Sequence, residues 1–164
     1  SRPVDSRTIL IFGGIVPTDE SEETKAELNS AASLFVGISQ SLLRQGMAHT
    51  VLRKINGAVD TRPVENEGDF NTMIDEFIAI PLASDAVFDV EEEKQIGAMP
   101  QYSKIIVVTN PLQNAEPERM SAYGDLTVVI VGAHNATSLA ESRLYRIIAV
   151  SADSVGTSVK NLEL

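Results

Sequence analysis

The chain contains no cysteine and no tryptophan. Without cysteine there can be no disulfide, no thiolate metal site and no cysteine nucleophile, a composition that suits a reducing cytoplasm. Aromatic residues make up 5% of the chain, which suggests neither a stacking platform for bases nor a sugar-binding surface. Histidine is confined to His49 and His134. Positive charge is also scarce: 13 Lys and Arg against 23 Asp and Glu leave a net charge of −10. That balance argues against nucleic acid, whose phosphates demand a basic face, and against an anionic membrane surface. It permits a basic protein partner or a cation, although solubility alone accounts for it. No apolar run approaches the ~20 residues needed to cross a bilayer, and no signal-peptide pattern opens the chain. The chain starts Ser1-Arg2-Pro3-Val4 without a methionine. We read it as an excised piece of a longer protein, leaving room for membrane anchors or partner domains outside it.

At 164 residues the chain suits a single domain spanning 1–164, long enough to bury roughly 70% of the surface its unfolded form would expose. Two apolar runs organise it. Ile9-Leu10-Ile11-Phe12 gives way to Gly13-Gly14, and Ile105-Ile106-Val107-Val108 gives way to Thr109-Asn110-Pro111. Uninterrupted runs of this kind are strands buried on both faces, as in a parallel sheet covered by helices. Ligands of such sheets sit beyond the carboxyl ends of the strands, which here offer Gly, Gly, Thr and Asn.

Between the runs, Asp19 with Glu22 three residues later resembles a capping box, and the acids around them complement a helix dipole. Leu28, Ala31, Ala32, Phe35, Ile38 and Leu42 form the apolar face of the helix that follows, and Gly46 is its natural stop. His49 to Arg53 reads as a second strand, turned by Asn56-Gly57, the strongest short hairpin signal. Ala58 to Val64 is then the returning antiparallel strand, placed at a sheet edge by Pro63. Asn66 to Asp69 make a polar break before a helical stripe of Phe70, Met73, Ile74, Phe77 and Ile78. A shorter helix is predicted from about Val90 to Ile96, then the strand at 104–109. A helix from Ala115 to Tyr123 opened by Pro117, a strand from Leu126 to Val131, a short helix from Ser138 to Tyr145 and a last strand from Arg146 to Val150 follow. Residues 156–164 extend as a strand or tail. The order β-α-β-β-α-α-β-α-β-α-β predicts a three-layer, doubly wound α/β fold with a mostly parallel sheet and one antiparallel edge strand.

This order, with a hairpin after the first crossover, resembles the von Willebrand factor A or integrin inserted-domain fold. Ala31-Ala32-Ser33-Leu34, Leu42-Leu43-Arg44-Gln45-Gly46 and Lys104 to Asn110 further resemble the bacterial domain of unknown function 58 family, over a likeness running from about Arg7 to Val150. In metal-binding members of the fold, the first strand ends in Asp-x-Ser-x-Ser, and a loop Thr with a later strand-end Asp completes a Mg²⁺ site. Such a site needs hard oxygen ligands in a near-octahedral array. Here the first motif reads Phe12, Gly14, Val16 or, one residue on, Gly13, Ile15, Pro17, with no oxygen side chain in either register. Asn110 stands where the late Asp would fall, and Thr72 is the match for the loop Thr. Two neutral ligands cannot hold Mg²⁺, so the resemblance implies a degenerate metal-dependent adhesion site.

Other motifs carry bland readings. Gly13-Gly14 lacks the rest of a nucleotide-binding signature, and Pro17 removes a donor from that loop. The pair is a tight turn needing positive φ or close approach. His134 follows a strand end near Ser138 and Ser142, but no Gly-x-Ser-x-Gly elbow supports a nucleophile. Glu91-Glu92-Glu93 is a solvated helix start, and Asn135-Ala136-Thr137 is a chance glycosylation pattern.

The expected function is a non-enzymatic protein-interaction module that contacts its partner through the loops around Gly14–Ser21, Asn71–Thr72, Asn110–Asn114 and His134–Thr137. Gly13, Gly14, Asp19, Thr72, Asn110 and His134 are the candidate contact residues. No catalytic residue, metal or cofactor is expected. The resemblance implies a cytoplasmic domain, tethered to the membrane through parts of its parent, with a MoxR-type AAA+ ATPase as partner. Two alternatives remain open: a metal-dependent adhesion domain recruiting acidic ligands from Asp19–Glu23, and a small-molecule or anion binder using Gly13-Gly14 with Asn110 or His134.

Overall fold

A computed structural model of the chain describes residues 8–15, 21–55, 58–80, 104–110, 115–132 and 144–150. In chain order the elements are β1 (Thr8–Ile15), α1 (Ser21–Arg44), β2 (His49–Ile55), β3 (Ala58–Val64), α2 (Glu67–Ala79), β4 (Lys104–Asn110), α3 (Pro117–Met120) with a 3-10 turn at Ser121–Tyr123, β5 (Asp125–Val131) and β6 (Tyr145–Val150). The Asn56-Gly57 turn, the helix expected near 90–96, residues 138–143 of the expected short helix and the 156–164 extension lie outside the described residues.

The six strands form one sheet in the order β3-β2-β1-β4-β5-β6. β3 runs antiparallel to β2, while the pairs β1–β2, β1–β4, β4–β5 and β5–β6 are parallel. The sheet is therefore mixed and mostly parallel, with its antiparallel strand at an edge, as Pro63 requires. Alternate residues of the central strands enter two cores, as the period of two dictates. Leu10, Phe12, Ile106 and Val108 pack with Leu34, Phe35, Ile38 and Leu42 of α1 and Phe70 and Met73 of α2. Ile9, Ile11, Ile105 and Val107 face the other way, with Ala115 and Met120. Phe35 joins the first core together, meeting Phe12 edge-on at 6.2 Å and Phe77 at 5.5 Å.

Local chemistry explains the helix ends. At the end of α1, the Gly46 amide donates to the Leu43 carbonyl and the Met47 amide to the Leu42 carbonyl, with Gly46 at φ +76. This is a Schellman stop, which satisfies carbonyls the helix would otherwise leave orphaned. The polar stretch expected as a break before α2 is its cap. The Asn66 side chain accepts from the Asp69 amide at 2.8 Å, and the Asp69 carboxylate accepts from the Glu65 amide at 3.0 Å, a reciprocal arrangement close to a capping box.

Three expectations change in detail. Ile78, assigned to the apolar stripe of α2, is 77% exposed. Eight positions beyond Phe70 it has rotated to the margin of the stripe, where the helix is also ending. The helix expected from 115 to 123 reduces to a single turn before the 3-10 segment, entered by Glu116 in the left-handed region at φ 43. β1 does not stop at Gly13-Gly14; it continues to Ile15 with a bulge between Phe12 and Gly14.

Buried polar side chains bind helices to strands. Arg53 in β2 donates to the carbonyls of Ile80 and Glu76 at the end of α2, and its guanidinium lies 4.4 Å from the centre of the Phe77 ring. α2 has no basic residue in its own last turn, so Arg53 supplies the cation its dipole favours there. Burial lowers the Arg53 pKa, against the opposing pull of Asp60 and Glu76. On α1, Ser39 lies 2.6 Å from Nε2 of His49, whose Nδ1 is 3.0 Å from the Met47 carbonyl. A carbonyl only accepts, so Nδ1 carries the proton and Nε2 accepts from the Ser39 hydroxyl. Burial pushes the His49 pKa below its ordinary 6.5, only partly offset by the Met47 hydrogen bond.

Two outcomes follow from these contacts. Nothing lies within 4 Å of a Cβ built on Gly46, so Gly46→Ala is expected to cost only the left-handed backbone penalty, about 1–2 kcal/mol in urea unfolding. His49 takes up a proton more readily in the unfolded chain than in the folded one. Its contribution to stability is therefore complete above pH 6.5 and is lost as pH falls below that value towards the lowered folded pKa. His49→Asn is expected to flatten the pH dependence of stability between about pH 7 and pH 5, measured by urea unfolding against the unsubstituted chain.

Candidate functional site

β1 pairs with β2 on one side and β4 on the other, so the strand order reverses between β1 and β4. The carboxyl ends of these two strands flank the topological switch point, where ligands of open parallel sheets bind. Gly14 is the register partner of Thr109, and Ile15 of Asn110. Thr109 donates its hydroxyl to the Gly14 carbonyl at 2.8 Å, tying the two strand ends together inside the crevice. A Cβ on Gly13 would sit 2.8 Å from Val107 Cγ1 and 3.0 Å from Thr109 Cβ. Gly13 is thus required by close approach of β4, and Gly14 by its φ of 95.

Asn110 is nearly buried. Its Nδ2 donates to Oε2 of Glu27 at 3.4 Å. The contact ties the end of β4 to α1. Glu27 is itself only 5% exposed, an uncommon setting for a carboxylate. Sequence reasoning missed it. The signal was present: position 27 lies four residues before Ala31 and falls on the stripe that continues through Leu34, Ile38 and Leu42, so an acid there has to be buried. The Ser39–His49 contact was also missed, because the two residues belong to separate elements and nothing local couples them.

The expected contact residues do not all converge. Gly13, Gly14 and Asn110 come together at the switch point. Thr72 does not join them. β3 ends with Val64 opposite His49, at the amino end of β2, and α2 starts directly after it. Thr72 therefore lies within the amino-side half of α2, not in a loop at the carboxyl ends, and its hydroxyl donates to the Gly68 carbonyl at 3.0 Å. The match of Thr72 to the loop threonine is corrected on that ground. The far end of α2 reaches the carboxyl side, where Arg53 meets it. Asp19 and His134 lie outside the described residues. Among the described residues, no group of three or more His, Cys, Asp or Glu is placed to hold a metal ion, and no helix is long and apolar enough to cross a membrane.

Two substitutions probe this end of the sheet. Asn110→Asp replaces a donor by a second carboxylate beside Glu27. It is expected to lower stability by roughly 1–3 kcal/mol at neutral pH, through the lost hydrogen bond and like-charge repulsion. The deficit should shrink as pH falls through the carboxylate range and one carboxyl protonates, read by urea unfolding at several pH values. Gly13→Ala is expected to cost about 1–3 kcal/mol at all pH values in the same measurement, because β1 and β4 must separate to admit the methyl group.

No family model and no curated protein matches the sequence. Solved structures do match the fold. The VWA domain of SpRpn10 superposes with a TM-score of 0.54 at 7% sequence identity, covering 95% of this chain and 94% of that one. Proximal thread matrix protein 1 from the mussel byssus gives a TM-score of 0.52 at 10% identity, again over 95% of this chain, which spans 44% of that protein. At such identities the likeness is one of architecture. With the six-stranded order and its antiparallel edge, it makes the fold of this chain von Willebrand factor A-like.

Proposed function

We propose that this chain is a non-enzymatic protein-interaction module whose metal-dependent adhesion site has degenerated, and that it belongs with the bacterial domain of unknown function 58 proteins. The observation that carries the reading is the way β1 enters the switch point. It arrives as Phe12-Gly13-Gly14-Ile15 with no oxygen-bearing side chain, and its β4 neighbour ends in an amide that faces Glu27. Mg²⁺ dehydrates reluctantly and wants carboxylates in an open octahedral array. Among the described residues the carboxylate seen beside Asn110 is Glu27, already hydrogen-bonded to that amide and a poor start for such a site. Recognition at this end then depends on shape and hydrogen bonding, with the buried Gly14 and Asn110 setting the shape beneath the contact surface. The partner we favour is a MoxR-type AAA+ ATPase, met in the cytoplasm by a domain tethered through the rest of its parent protein. Asp19 and His134 stay in the proposal as rim contacts on sequence grounds.

Thermal melting tests the metal half of the reading. Unfolding temperatures in Mg²⁺, Mn²⁺ and EDTA are expected to coincide. A saturable, metal-specific rise that disappears in Asn110→Ala would overturn it, because only binding to the folded state raises the melting point in that way. Calorimetric titration with a nucleotide-free MoxR-type ATPase tests the partner half. Binding is expected to be the same with and without EDTA and to weaken at least about tenfold in Asp19→Arg, or roughly 1.4 kcal/mol. Affinity that vanishes on chelation, or that is indifferent to the substitution, contradicts the proposal.

A further inference from the structure

We draw no further inference here: the strongest candidate, the exposed apolar patch of Ile78 and Ile80 at the C-terminal end of α2, carries nothing because nothing in the structure shows what covers it.

Discussion

All eight residues of β1 are buried, and this enclosure governs the molecule. The strand has β2 and β4 along its two edges and a hydrophobic core on each face. Beyond Thr8 at its start, every side chain it carries is apolar or absent. A polar side chain would need an internal partner to offset the loss of water, at a cost of about 1–3 kcal/mol if it found none. The same pressure acts at Gly13, where β4 comes too close for even a methyl group. A strand so confined delivers backbone to the switch point and little else. Its sheet neighbour supplies Thr109 and Asn110, and both are engaged internally.

Against this apolar centre, the buried polar groups act as fasteners between layers. α1 is held near both of its ends. Glu27 meets Asn110 at the carboxyl end of β4, and Ser39 meets His49 at the amino end of β2. Those two contacts define how α1 lies along the sheet, something hydrophobic burial alone specifies poorly because it has no direction. α2 is fastened at its last turn by Arg53. Arg62, on β3, adds an ion pair of 3.0 Å to Glu76. With half its side chain exposed, Arg62 contributes less than the buried contacts do. Removing one member of a buried pair leaves the other desolvated and unpaired, so these few residues matter out of proportion to their number.

Much of the architecture was legible along the chain. The runs at Ile9 and Ile105 announced central parallel strands. Asn56-Gly57 and Pro63 announced a hairpin ending in an edge strand, and Gly46 announced the end of α1. These signals work because each is satisfied within a few residues, by a backbone dihedral, a period of two or an unpaired amide. The candidate site was legible only in part. Gly13, Gly14 and Asn110 could be placed near the switch point because strand ends are visible in sequence. Thr72 was misplaced because its register depended on where α2 begins. Asn66 to Asp69 look like a break until their side chains are seen capping the helix.

Periodicity, turn chemistry and the absence of cysteine, read from the residues in order, are enough to establish an α/β chain with a hairpin edge and a first strand lacking ligand oxygens. Packing alone decided that Glu27 would meet Asn110, that Ser39 would reach His49, that Arg53 would close α2 and that Thr72 would lie away from the switch point. The physical reason is range. Dihedral preferences and hydrophobic period act between neighbours, whereas a desolvated polar group is satisfied by whatever the fold brings within about 3 Å of it, however far away that partner lies in the chain.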